Sequence, residues 1–223
     1  MKTEYGEVDV AECRIAGSEF FQISRGKSNL AAHAINHRAN IAALKQIGVT
    51  HIIGSAMVGS LHTGLGRSDL VLADQFLDFS KRTTVDFFED QKFRDFDFTN
   101  PFSDYLRGTI ASAAKELGHS LRRRGCYVGV DGPRFETAAE VRMYAQLGGD
   151  IIGMTIIPEC TMSKQVGMEY AVIAGVVNPG AGLSPHAIIA DQLLDARDRH
   201  LARISEIISR AVALTNAGVL ETA

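Results

Sequence analysis

CYVGVDGPRFETAAEVRMYAQLGGDIIGM, residues 126–154, is the stretch on which the fold class turns. The apolar run 126–130 reads as a strand, Gly132 and Pro133 turn the chain out of it, and 136–147 carries apolar residues at three- and four-residue spacing. A second apolar run follows at 151–154. Strand, helix and strand in succession predict a βαβ unit with neighbouring strands in one sheet. Neither run alternates with polar residues, as expected of strands buried on both faces.

The pattern extends outward in both directions. Runs at 20–23, 51–56, 70–74 and 170–177 add strands, and periodic segments at 36–47, 101–117, 158–166 and 186–214 add helices. Pro101 and Pro158 stand at the predicted start of their helices, where the first turn needs no amide donor. The expectation is an α/β protein, a single-domain mixed sheet flanked by helices over residues 1–223, without internal repeat or linker. A chain of this length buries roughly 70% of its unfolded surface, enough for one continuous core.

Composition and charge exclude several function classes. The formal net charge is −3 and the basic run Arg122, Arg123, Arg124 is too short to track a phosphate backbone. Aromatic residues interleave with charges at 92–106, but basic side chains there are too few for a nucleic-acid surface. No apolar stretch is long enough to span a bilayer and MKTEYGEVDV has no signal-like apolar region, so a cytoplasmic protein without a membrane partner is expected. Cys13, Cys126 and Cys160 read as buried thiols in a reducing compartment. No His or Cys spacing suits a metal, so neither metal nor cofactor is expected.

Three segments place polar groups at predicted strand ends, where open α/β sheets build their sites. In 131–140 the Phe135 ring is placed to stack on a planar base and the Glu136 carboxylate to accept from its edge; alternatively, Glu136 complements the dipole of a helix first turn. In 150–159 Met154 and Thr155 follow a strand, and a core methionine and a capping threonine are the alternatives. In 173–182 Asn178 ends an apolar strand ahead of Pro179, where a buried amide demands partners and an Asx turn is the alternative.

In order, GPRFETAAE (132–140), GMTIIPE (153–159) and VVNPGAG (176–182) resemble the trimeric purine nucleoside phosphorylase and methylthioadenosine phosphorylase family, most of all its methylthioinosine phosphorylase branch. NHRANIAALKQIG (36–48) and residues 55–79 extend the likeness. The resemblance implies the nucleoside phosphorylase fold and cleavage of the N-glycosidic bond of a 6-oxopurine nucleoside of the inosine, guanosine or 5′-methylthioinosine type, with inorganic phosphate as co-substrate. It implies that Glu136 and Asn178 are catalytic, that Phe135, Glu136, Asn178 and Val58 bind the base, and that Met154 and Met57 line the ribose. Thr155 and Arg25 would lie at the nucleophile. His33, His37, His62, His186 and His200 are the candidates for the ribose 5′ end, with a helix-start role for His186 as its alternative. A homotrimer follows too, in which residues 95–98 close a neighbour's pocket, with an ordinary packed loop as the alternative. The chemistry agrees: hypoxanthine and guanine present an N1–H that a carboxylate accepts, whereas adenine has an acceptor there, and a buried mismatch costs about 1–3 kcal/mol. The methylthioadenosine enzymes carry Ser and Asp at the positions of Glu136 and Asn178.

The likeness breaks at the anion. The chain begins beyond the family's Gly-Thr-Gly phosphate loop, Ser24 and Arg25 stand where the family has Arg and His, and Ala56 replaces a phosphate-binding Thr. Thr155 with Arg25 or Lys27 would then meet a dianion that needs several donors and a counter-charge to offset its desolvation. Phosphorolysis is the first reading. A phosphate-independent nucleoside or nucleotide hydrolase and a non-catalytic purine-binding protein are the other two.

Overall fold

The computed structural model describes residues 1–15, 18–25, 31–81, 86–87, 94–185 and 189–216. Two antiparallel ribbons come first, β1 (Lys2–Thr3) with β2 (Gly6–Glu7), and β3 (Val10–Ile15) with β4 (Ser18–Ile23). Then follow α1 (His37–Gln46), β5 (His51–Ser60), β6 (Leu70–Leu72), β7 (Gln75–Asp78), α2 (Asp104–Glu116) and β8 (Cys126–Gly129). The chain continues through α3 (Ala138–Gln146), β9 (Ile151–Gly153), α4 (Ile156–Gln165), β10 (Glu169–Pro179) and α5 (Ala190–Asn216).

Six strands form one mixed sheet in the order β6-β10-β5-β9-β8-β7. β8 and β9 run parallel, as the βαβ reading of 126–154 requires, and β10 runs parallel to β5. An antiparallel pairing of β5 with β9 joins the two halves. The outermost strands, β6 and β7, are separated in sequence only by Ala73 and Asp74. Consecutive Cα atoms are about 3.8 Å apart, so the two edges lie close and the sheet must curl almost shut. Residues 122–125 stitch the seam: Arg122 exchanges backbone hydrogen bonds with Leu70 and Leu72, and the Asp74 N–H donates to Gly125 O at 3.2 Å.

One face of the curled sheet turns inward and unites Val58, Val71, Tyr127, Ile151, Val172 and Val176 from both halves. On the outer face α2 and α5 cover Leu70, Leu72, Ala171 and Ile173, while α3 covers Val128 and Ile152. No helix among the described residues is long and apolar enough to cross a membrane.

Several boundaries differ from expectation for local reasons. Ser103, not Pro101, caps α2 by accepting from the Leu106 N–H at 3.2 Å. α4 starts two residues ahead of Pro158, which sits inside the first turn, where an amide hydrogen is still dispensable. α3 starts at Ala138 because Thr137 and Glu140 form a capping box. Strands β1, β2, β3 and β7 escape the sequence reading because they are short or polar and lie at edges or in ribbons. Cys160 is buried as expected, but Cys13 and Cys126 are partly exposed.

Candidate active site

The position of Asn178 depends on a slip in strand register. β10 and β5 pair without interruption from Glu169 opposite His51 to Val176 opposite Val58; then Asn178, not Val177, stands opposite Gly59. Paired residues share a face, so the extra residue turns Asn178 away from the inward face of Val176 and Val58. Asn178 is buried, its Nδ2 donates to Pro179 O at 2.9 Å, and a Cβ on Gly59 would come within 3.3 Å of that nitrogen. The glycine makes room for the amide.

Loop 131–136 crosses the end of β9. The Val130 N–H donates to Gly153 O at 3.0 Å, and a Cβ on Gly132, at φ +69°, would lie 2.6 Å from Met154 Sδ. The loop after Asn178 packs beside it, because Cβ atoms on Gly180 and Gly182 would strike Val141 and Ala138 of α3 at 3.0 and 2.7 Å. Met154 and the segments bearing Glu136 and Asn178 therefore adjoin. Burial pushes the Glu136 carboxyl above its ordinary range; its own backbone N–H opposes the rise and the charge of Glu140 adds to it. Glu136 precedes α3, and the helix is capped instead by Glu140, whose oxygens accept from the Thr137 N–H at 2.7 Å and from Arg134 at 2.8 Å. Glu136 therefore makes no capping hydrogen bond to α3, whose N-terminus is closed by Thr137 and Glu140. The Phe135 ring is 50% exposed, a large aromatic surface at the mouth of the site.

On the acceptor side, Thr155 is the N-cap residue of α4 yet makes no capping hydrogen bond, and its N–H donates to Tyr127 Oη at 3.3 Å. Arg25 reaches the Ser55 carbonyl, next to Ala56, but its charge is matched by Glu159 at 3.2 Å. Glu159 also accepts from Tyr170 Oη at 2.7 Å and lies 3.4 Å from His37 Nδ1. Burial alone would raise the Glu159 carboxyl; Arg25, His37 and Tyr170 outweigh it and hold the group below the usual carboxylate range. Sequence reasoning missed this cluster, although an acid inside the apolar run IIPEC was a visible signal.

The remaining candidates separate. Val58 is buried on the inward face, whereas Met57 packs on the outer face, which Gly59 and Asn178 share. His33 is exposed, His62 pairs with Asp150 at 3.0 Å, and His200 is buried beneath β10. Asp95 and Asp97 are exposed, while Phe98 packs edge-on against Phe76 of the same chain. Lys27 and His186 lie outside the described residues. No group of three or more His, Cys, Asp or Glu able to hold a metal occurs among the described residues.

The sequence pattern of the phosphorylase superfamily matches residues 2–213. The chain belongs to that superfamily. Relatives of this phosphorylase include the 6-oxopurine nucleoside phosphorylase of Pyrococcus furiosus, 38% identical over 223 residues that cover 96% of this chain and 84% of the relative. A protein of Methanopyrus kandleri described as a probable S-methyl-5′-thioinosine phosphorylase is 34% identical, with 94% of this chain and 83% of the relative covered. Among solved structures, methylthioadenosine phosphorylase from Schistosoma mansoni in complex with adenine superimposes with a TM-score of 0.92 at 27% identity, over 97% of this chain and 84% of that one.

Proposed function

We propose that this enzyme cleaves the N-glycosidic bond of 6-oxopurine nucleosides, of the inosine, guanosine or 5′-methylthioinosine type, by transferring the ribosyl group to inorganic phosphate. One observation carries the reading: a buried carboxamide and a half-buried carboxylate, on loops that pack side by side, stand next to a half-exposed aromatic ring. That set complements a 6-oxopurine, which offers N1–H to a carboxylate and O6 and N7 to an amide donor.

In the mechanism, C1′–N9 stretches, its electron pair enters the purine and the ribosyl group becomes oxocarbenium-like. Asn178 donates to N7 and O6, where charge collects, while Glu136 holds N1–H and keeps the base in register for that donation. Phe135 covers the base, and Met57 and Met154 line the sugar; Val58, on the sheet face opposite Asn178, belongs to the core and not to the base site. A phosphate oxygen held by Thr155 bonds to C1′ as the purine leaves. Arg25 stays paired with Glu159 and contributes to the anion only through the positive charge it keeps beside Ala56. Hydrolytic and non-catalytic readings are disfavoured by relatives that are named phosphorylases.

The enzyme works in the cytoplasm as a homotrimer of one-domain subunits. Exposed Phe135, Met143 and Leu147 leave apolar surface for a neighbour at the pocket mouth. Light scattering tests the assembly. The activity is tested by incubating inosine, guanosine and 5′-methylthioinosine with and without phosphate. Base release that depends on phosphate is expected; equal release without it would turn the assignment to a hydrolase, and tight hypoxanthine binding without turnover to a binding protein.

A further inference from the structure

We propose that His200 of α5 is a positioning residue that holds the β10 bulge and thereby aims Asn178; the inference rests on the assignment of Asn178 to the purine. His200 is 1% exposed, and its ring fills the space left by Gly175, where a Cβ would lie 2.5 Å from His200 Cγ. Gly175 stands opposite Met57 in register, so the imidazole lies on the same face of the sheet as Gly59 and Asn178.

The contacts of the ring point to its task. Nε2 is 2.9 Å from Val176 O and 2.9 Å from Arg67 O. Both partners are carbonyls, so the network assigns the proton to Nε2, which shares it between them. Nδ1 is enclosed without a hydrogen-bond partner. An enclosed polar atom of that kind is unfavourable, and an apolar side chain of similar size would avoid it. What the imidazole supplies in return is a donor for Val176.

Val176 is the last residue paired with β5 before the register slips. A bulge interrupts the ladder and leaves backbone groups that need partners elsewhere. Here the Val176 N–H donates to Asp69 O at 3.0 Å and the Val176 carbonyl takes the His200 proton. The same short loop is tied to α5 a second time, by Arg203 Nη1 donating to Ser68 O at 2.7 Å. The helix thus grips residues 67–69 and Val176 together, and the slip that follows sends Asn178 to the Gly59 side. A regular strand would leave Asn178 facing inward with Val176.

The test uses His200→Leu and His200→Gln in the parent and in Asn178→Ala, with kcat and KM for inosine at saturating phosphate and melting temperature for each. Gln carries an amide nitrogen close to the place of Nε2; Leu cannot donate. His200→Leu should lower kcat by about 10-fold or more, the worth of one buried hydrogen bond, with KM little changed, and His200→Gln should recover most of it. In the Asn178→Ala background the Leu substitution should cost less than about 2-fold, because the residue through which it acts is gone. A folded His200→Leu with parental kcat, a Gln variant no better than Leu, or losses that multiply in the Asn178→Ala background would each overturn the proposal. If His200→Leu does not fold, His200→Gln is compared with His200→Asn, whose shorter amide falls short of Val176 O, and equal kcat for the two is the refuting result. Parental activity in Asn178→Ala alone is a separate failure, that of the purine assignment itself.

Discussion

Replacing Asn178 by alanine separates the chemistry from the folding. Among the described residues the carboxamide makes one bond, from Nδ2 to Pro179 O at 2.9 Å. Its loss costs about 1 kcal/mol of stability, which for a chain of this size lowers Tm by roughly 2–4 °C. In the proposed transition state the same amide faces the charge arriving at N7 and O6. Removing one such donor from a preorganised site costs about 2.7–4 kcal/mol, or about 10²- to 10³-fold in kcat. The barrier should therefore move about three times as far as the stability. Hypoxanthine release from inosine at saturating phosphate, followed by ultraviolet absorbance, measures the first quantity and a thermal melt the second. A folded variant with parental kcat would refute the reasoning, since the amide could not then be touching the leaving group.

Three further outcomes follow from the same geometry. Glu136→Gln should weaken hypoxanthine binding by about 1–3 kcal/mol in a calorimetric titration. Because burial raises the Glu136 carboxyl above the ordinary 4.5, protonation removes the N1–H acceptor earlier on acidification than a normal glutamate would, and the Gln variant should lack that acid limb. Arg25→Met leaves the Glu159 carboxylate buried without its cation and should cost about 3 kcal/mol, the low end for a broken buried pair because a quarter of the Arg25 side chain is exposed. The Glu159 carboxyl is held below its ordinary 4.5, so this stabilisation is complete above that pH and is lost as pH falls through the folded value. The Tm gap between Arg25→Met and the parent should accordingly narrow in acid; a constant gap would contradict the pairing. Phe135→Ala removes a ring that is 50% exposed, so KM for inosine should rise by about 10-fold with Tm nearly unchanged, and a parental KM would take the ring off the base.

Much of the scaffold was readable from local pattern. The runs at 126–130, 151–154 and 170–177 proved to be strands because a sheet covered on both faces has to be apolar along its length. α3 starts two residues later than its periodicity predicts, because the capping box sets Thr137 as N-cap, with Glu140 reaching back to the Thr137 N–H. β7 went unseen because it begins after Ala73 and Asp74, without a break that separates it from β6. The candidate site was legible in its residue types: a carboxylate, an amide, a methionine and a threonine at strand-to-helix connections. The ties of Arg25 to Glu159 and of His200 to Val176 span long stretches of chain, and no local periodicity reports them.

Sequence alone determined the class of fold, the loops proposed to bear chemistry and the preference for a 6-oxopurine, because periodicity and donor–acceptor character belong to residues and their near neighbours. Tertiary structure decided which face Asn178 occupies, whether the charge of Arg25 stands free, and how nearly the sheet closes. Those depend on strand register, on ion pairing and on edges meeting across the molecule, all of them set by partners far away along the chain.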